Sequence, residues 1–264
     1  MADADALLEP GVGGIPATPD PVPATPPAAP PADDSTMSLV DHLGELRSRV
    51  FKALIAVGIG SVIGYYYAVP VRNFLILPLG PDRVLQVLGM GDAFVIQLKI
   101  SIVIGIILAM PILLYQVWAF VAPGLTPTER RTVRPWIPLA LLFFAIGVAI
   151  AYFILPYAIA FLFSFTDDKL VARPAAGPYF DFVTTLFLVF GLIMEFPILL
   201  VGLSRVGIVT SERLSGSRRM IILGISIFAA VVTPGGDIVS PIVLGSTMYI
   251  LFELTLLFIK RSGR

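Results

Sequence analysis

Six long apolar segments constrain this 264-residue chain more than any other feature. A run of about 20 apolar residues is long enough to cross the hydrocarbon core of a bilayer as a helix. Backbone groups in lipid must be satisfied within a helix or a closed barrel, and the period-two alternation of barrel strands is absent. The sequence therefore predicts an all-α polytopic membrane protein with six transmembrane helices at approximately Val50–Ala68, Phe94–Phe120, Trp136–Leu155, Tyr179–Leu203, Met220–Val232 and Pro241–Ile259.

The composition excludes several classes of function. Charged residues make up only 14% of the chain, whereas a soluble domain has about 25%. With no cysteine and a single histidine, disulfides and thiolate nucleophiles are excluded, and a metal site built on these residues is disfavoured. The nucleophile and metalloprotease motifs of hydrolases are also absent. We therefore expect no enzyme activity, no cofactor, no metal and no nucleic-acid partner.

Three regions follow from the distribution of charge and hydrophobicity. Residues 1–37 are acidic, rich in Pro and Ala and without Lys or Arg, which predicts a disordered tail. That tail has neither the basic region nor the apolar core of a secretory signal peptide. We expect either that Met37 is the functional start or that the tail is dispensable. Residues 38–260 form the predicted helical domain, and residues 261–264 form a short C-terminal tail.

The stretch 38–49 predicts a short amphipathic helix that lies at the membrane surface before the first spanning helix. Its leucines recur at helical spacing on one face, at Leu39, Leu43 and Leu46. On another face, Glu45 precedes Arg49 by four residues, which is a favourable pairing on a helix. A purely structural interpretation is that this stretch anchors the chain at the membrane interface, with its Lys and Arg side chains extending toward the polar head groups.

The distribution of Lys and Arg predicts a plasma-membrane protein with both termini in the cytoplasm, because cytoplasmic loops carry an excess of these residues. The predicted outer side carries only four of them, Arg72, Arg83, Lys169 and Arg173. The predicted inner side carries Arg47, Arg49, Lys52, Arg130, Arg131, Arg134, Arg205, Arg213, Arg218, Arg219, Lys260, Arg261 and Arg264.

The fifth apolar segment is too short for an ordinary span. Its residues cover roughly 20 Å as a helix, against a hydrocarbon core of roughly 30 Å. Such a helix thins the bilayer or lies in a recess of the protein. The sequence Thr233-Pro234-Gly235-Gly236-Asp237 that follows predicts a turn.

Glu195 is the most unusual residue within the spanning segments. An acid at the centre of a helix in the membrane costs about 2.5–3.5 kcal/mol, so we expect Glu195 to be protonated, paired or exposed to a wet cavity. Lys99 and Gln97 are its candidate partners. Glu195 and Lys99 would also be the basis of an alternative function, a small-solute secondary transporter. The absence of internal repeats in the sequence disfavours that alternative.

Four motifs in order resemble those of the TatC family and together cover about residues 38–260. They are His42-Leu43-x-Glu45-Leu46-Arg47-x-Arg49, Phe120-x-x-Pro123-x-Leu125-x-x-x-Glu129-Arg130-Arg131, Phe190-Gly191-x-x-x-Glu195-x-Pro197, and Thr233-Pro234 with Asp237. The form Thr-Pro-Gly-Gly-Asp is similar to that of actinobacterial members. The resemblance implies the signal-peptide receptor of the twin-arginine translocation system, which exports folded proteins using the proton gradient.

The resemblance also implies roles for particular residues. Glu45 and Glu129 would bind the twin arginines of the signal peptide, since a planar guanidinium pairs well with a carboxylate. The nearby Arg47, Arg49, Arg130 and Arg131 would orient those acids, and Phe120 matches an aromatic position of the family. Glu195 would lie on a concave polar face. Single-pass partners of the TatA and TatB type would pack along the fifth and sixth helices, and the chain would self-associate in the bilayer.

The predicted outer loop and the last helix supply further candidate contacts. Thr233, Pro234 and Asp237 match the last external loop of the family, and Glu253 can pair with Arg218 or Arg219. Two departures from the family pattern stand out. Ser240-Pro241 occupies the place of a common Gln associated with partner docking, and the region Ala175-Ala176 replaces a frequent acid.

Overall fold

The computed structural model describes residues 39–81, 84–124, 136–167, 173–205, 209–233 and 236–261. The predictions for the tail 1–37 and for residues 262–264 lie outside these ranges. All described residues except Leu39 belong to one compact unit. The described residues contain α-helices and two short 3-10 turns, but no strand. The helices are α1 (Leu39–Ile76), α2 (Asp92–Val121), α3 (Trp136–Phe163), α4 (Ala176–Ile193), α5 (Phe196–Arg205), α6 (Ser211–Gly216), α7 (Arg218–Val232) and α8 (Val239–Arg261).

Five spans in the described part of the chain are long and apolar enough to cross a membrane. They comprise α1, α2, α3, α4 together with α5, and α8. The sixth predicted segment is α7, which has 15 residues and therefore a length of about 22 Å. The all-α membrane architecture is thus confirmed, and α7 is short, as its sequence predicts.

The N-terminal amphipathic stretch is not a separate helix, unlike our expectation. Helix α1 runs without interruption for 38 residues and passes through Pro70. No glycine pair or proline between residues 45 and 55 interrupts the sequence, so nothing breaks the ladder of backbone hydrogen bonds there. The charged residues around Glu45 are therefore held rigidly on the first turns of a transmembrane helix.

The fourth predicted segment is broken at Met194 and Glu195, which form a turn between α4 and α5. The cause is Pro197, because a proline lacks the N–H and its ring displaces the carbonyl group four residues earlier. That residue is Ile193, the last of α4. The backbone of Glu195 bridges the break, since its N–H donates to Leu192 O and its carbonyl accepts from Ile198 and Leu199, each at 3.1 Å.

Small residues allow α1 and α2 to approach closely as antiparallel neighbours. A Cβ atom on Gly60 would lie 2.6 Å from the carbonyl oxygen of Gly105, and one on Gly64 would lie 2.5 Å from that of Ser101. Close backbone approach through small residues is a common packing mode of transmembrane helices. These contacts fix which residues of α1 face which residues of α2.

Helix α4 is the centre of the molecule. Most of its side chains are apolar and buried, although Asp181 and Leu192 are exposed, as expected of a helix packed among other helices. The largest fully buried side chains come from α4 and the helices around it, and include Phe180, Phe190, Phe252, Ile100, Leu155, Leu186, Leu244 and Leu256. By contrast, α1 exposes a long apolar face that includes Leu54, Ile59 and Val62, as expected of a helix in contact with lipid.

The bundle has two chemically different ends. At one end, which we call the charged end, α1 and α7 begin and α2, α5 and α8 end. Its described cations are Arg47, Arg49, Lys52, Arg213, Arg218, Arg219, Lys260 and Arg261. At the opposite end, Gln86 and Ala175 form a short bridge, and the Tyr179 hydroxyl donates to Leu75 O at 2.7 Å.

Candidate functional site

Glu45 lies at the charged end, about two turns from the start of α1, and its two carboxylate oxygens differ. The Oε1 atom accepts hydrogen bonds from the guanidinium of Arg49, through Nε at 2.9 Å and through Nη2. The Oε2 atom is buried, and no described residue gives it a hydrogen bond. The i,i+4 spacing of the two residues predicts this ion pair.

His42 and Phe120 connect Glu45 to the end of α2. Their rings stack with centroids 4.3 Å apart and an interplanar angle of 16°. The Nδ1 atom of His42 lies 3.8 Å from Glu45 Oε2. The carboxylate therefore sits in a corner between two helices, rather than on an open helix surface.

Arg47 does not contact the carboxylate in the described structure. Its guanidinium lies over the ring of Phe51, with Cζ 5.8 Å from the ring centroid. A cation–π contact of this kind holds the side chain against the outer face of α1. Of these two arginines, Arg49 therefore contacts Glu45 and Arg47 contacts Phe51.

The second predicted carboxylate, Glu129, and its neighbours Arg130 and Arg131 lie outside the described residues. Helix α2 ends at Val121, a 3-10 turn follows at Ala122–Gly124, and α3 begins at Trp136. The described residues on either side, Gly124 and Trp136, are at the charged end.

The predicted pairing of Glu195 with Lys99 or Gln97 is wrong. The ammonium of Lys99 pairs with the carboxylate of Asp181 on α4, and the Gln97 amide donates to Tyr65 O at 3.3 Å. Lys99 lies about 10 Å along α2 from the opposite end, whereas Glu195 follows the 18 residues of α4, about 27 Å from that end. The proposed polar site of a small-solute transporter is therefore not assembled.

Glu195 is nonetheless distinctive. Its side chain is 6% exposed, and its Oε1 atom has no hydrogen-bond partner among the residues described. The helix break beside it leaves backbone carbonyl groups outside the regular ladder, so the centre of the fourth span is locally polar.

Asp237 and Ser240 form a buried polar cluster at the start of α8. Asp237 Oδ1 accepts a hydrogen bond from Ser240 N at 2.7 Å, which caps the first turn of the helix. Asp237 Oδ2 and Ser240 Oγ are both buried with no partner in the described ranges. Nearby, the hydroxyl of Thr233 donates to Ala229 O at 2.6 Å, and Pro234 lies outside the described residues.

Glu253 lies on α8 near the charged end, far from this cluster. It accepts a hydrogen bond from Arg218 Nη2 at 3.1 Å, so the predicted pairing with Arg218 is confirmed. The contact closes the hairpin of α7 and α8 at the end opposite to the Asp237 cap.

Sequence reasoning missed three residues of these sites. It gave no role to His42, although the i,i+3 spacing of His42 from Glu45 places both on one face of a helix. It did not pair Asp181 with Lys99, and it did not consider Gln116. The Oε1 atom of Gln116 is buried without a hydrogen-bond partner in the part of the chain that is described.

The fold and the site define a multi-pass helical membrane protein with a half-buried carboxylate at its charged end. The family described as "Sec-independent protein translocase protein (TatC)" matches residues 41–246. A protein of that name from Carboxydothermus hydrogenoformans is 35% identical over 86% of this chain and 95% of its own length. One from Desulforapulum autotrophicum is 35% identical over 88% of this chain and 87% of its own.

A solved structure gives the same result. The crystal structure of "Twin Arginine Translocase Receptor- TatC" has a TM-score of 0.74 and 33% identity to this chain, and the match covers 84% of this chain and 100% of that one. The chain therefore belongs to the TatC family, as the four sequence motifs indicate.

Proposed function

We propose that this chain is the receptor subunit of a twin-arginine translocase and binds the paired arginines of signal peptides at its charged end. The single observation that carries this proposal is the state of Glu45. One oxygen of its carboxylate is bonded to Arg49, and the other is buried and unpaired among the described residues. An arginine of the peptide supplies the missing donor as a charge-assisted hydrogen bond.

The position of Glu45 supports binding of a peptide that enters the membrane. Glu45 lies at the start of a transmembrane helix, and Phe120 lies beside it through the His42 stack. The polar arginines would then bind at the charged end while the apolar part of the signal peptide follows the bundle into the lipid. Glu129 would approach the second arginine from the segment between α2 and α3.

The orientation and the partners belong to the same proposal. The charged end would face the cytoplasm, by the positive-inside rule, with the tail 1–37 and the C-terminus on that side. Single-pass TatA-type and TatB-type partners would pack along α7 and α8. Helix α7 exposes apolar side chains along its length, including Met220, Leu223, Ile227 and Val231. The proton gradient would drive export, and the chain itself would make or break no covalent bond.

Replacing Glu45 tests this function directly. Glu45→Gln keeps the size of the side chain and removes its charge, so we expect binding of an Arg-Arg signal peptide to fall about tenfold or more, since a hydrogen bond to a charged group contributes about 1.5–3 kcal/mol. Asp41→Asn is the matched control, because Asp41 is exposed on the same helix end. Fluorescence titration of a labelled peptide into the protein in nanodiscs measures both. Equal affinities for the two variants would refute the proposal.

A further inference from the structure

We propose that Gln116 supplies a second acceptor for the arginine that binds Glu45, and that these two acceptors together distinguish arginine from lysine. This inference rests on the proposed receptor function and assigns a specificity-determining residue within it.

The register of α1 and α2 brings the two side chains to facing surfaces. Contacts between Gly60 and Gly105 and between His42 and Phe120 run in antiparallel order along the two helices. Gln116 precedes Phe120 by four residues and so shares its face of α2. Glu45 follows His42 by three residues and shares its face of α1. Both therefore lie about one turn further into the bundle than the stacked rings.

The two side chains present the same chemistry to each other. Glu45 Oε2 and Gln116 Oε1 are both hydrogen-bond acceptors, both are buried, and neither has a partner among the residues that the structure describes. Buried polar atoms in native proteins are nearly always paired. Two unpaired acceptors on facing helices therefore indicate a ligand that carries at least two donors.

The bond between Arg49 and Glu45 explains why a second acceptor is needed. Because Arg49 holds Oε1 through two of its nitrogens, an incoming guanidinium cannot pair with both oxygens of the same carboxylate. A guanidinium presents parallel N–H groups in a fixed plane and gains most from two acceptors. Glu45 Oε2 and Gln116 Oε1 can take one each. A lysine ammonium is a compact point charge and depends less on that geometry.

The test compares two peptides on one variant of the full chain in nanodiscs. The probes are labelled signal peptides that differ only in an Arg-Arg or a Lys-Lys pair. Gln116→Met keeps the length of the side chain and removes its acceptor. We expect affinity for the Arg-Arg peptide to fall about tenfold and affinity for the Lys-Lys peptide to change by less than about twofold. Gln116→Glu retains an acceptor oxygen and should retain the preference for arginine.

Gln97→Met is the matched control, because Gln97 is on the same helix but bonds to Tyr65 O far from the charged end. It should leave both affinities unchanged. If Gln116→Met leaves the ratio of the two peptide affinities unchanged, the inference is overturned and Gln116 has only a packing role. The outcomes are separable, since failure of Glu45→Gln to weaken binding would overturn the receptor function itself.

Discussion

At the scale of single residues, the proposed recognition of arginine depends on how the Glu45 carboxylate is held at the edge of the membrane. Arg49 neutralises part of the charge of Glu45 and fixes its orientation, while the neighbouring His42 ring closes one side. A carboxylate held in this way offers a defined oxygen rather than a diffuse negative charge. Such geometry favours recognition of a shaped cation over simple charge attraction.

Removing Arg49 should therefore relax the selectivity of the site. In Arg49→Met, both carboxylate oxygens of Glu45 become free to accept hydrogen bonds and an adjacent positive charge is removed. We therefore expect tighter binding of a Lys-Lys peptide and a smaller preference for Arg-Arg. Arg47→Met removes the same charge from a residue that stacks on Phe51 instead, and should leave the preference intact. Titration of both peptides measures the ratio, and an unchanged ratio in Arg49→Met would contradict the positioning role.

The sequence predicted part of this arrangement. The pair Glu45 and Arg49 follows from helical spacing alone, because both residues are on one helix. The stack of His42 on Phe120 depends on how α1 and α2 pack against each other. Local spacing contains no information on that register, and so single-sequence reasoning could not place them.

At the scale of elements, the contact between α1 and α2 positions the site. The register is set where Gly60 meets Gly105, several turns from Glu45. Interlocked small residues leave no room for a side chain, so any group added there must separate the helices.

A substitution at Gly60 should therefore weaken the protein and the site together. We expect Gly60→Leu to lower the thermal unfolding temperature by several degrees, since overpacking costs about 1–3 kcal/mol, and to reduce binding of the Arg-Arg peptide. Gly58→Leu is the matched control, because a Cβ atom at Gly58 meets nothing within 4 Å. Thermal unfolding in detergent measures the difference. Equal unfolding temperatures for the two variants would be inconsistent with close packing at Gly60.

The break between α4 and α5 shows how far element boundaries could be predicted. Hydropathy identified the whole span correctly, and Pro197 was visible within it. Transmembrane helices often continue through proline, as α1 does at Pro70 and α2 at Pro111, so the residue alone does not predict a break. The sequence offers Lys99 two candidate acids, Asp181 and Glu195, in the same apolar segment. Only the depth of each acid along its helix shows that Asp181 is the partner.

At the scale of the whole molecule, hydropathy alone was sufficient to predict an all-α membrane architecture. Five apolar spans and the short α7 correspond to the six predicted segments. Bilayer thickness restricts helix length so strongly that little tertiary information is needed. The surface-helix prediction failed because nothing in residues 45–55 ends α1.

The absence of cysteine from the chain allows a clean test of orientation. Single substitutions Met90→Cys and Ser217→Cys place thiols on exposed residues at the opposite and the charged end, respectively. We expect a membrane-impermeant maleimide to label position 90 in intact cells and position 217 only after the cells are broken. The reverse pattern would contradict a cytoplasmic charged end.

Site-specific crosslinking tests whether the twin arginines of a signal peptide bind at Glu45. A photo-reactive residue at position 46, next to Glu45, should form an adduct with an Arg-Arg signal peptide, and the same residue at position 63, on the lipid-exposed middle of α1, serves as the control. We expect a strong adduct from position 46 that is largely lost with a Lys-Lys peptide and with Glu45→Gln. Equal adduct yields from the Arg-Arg and Lys-Lys peptides, or a yield unaffected by Glu45→Gln, would contradict it.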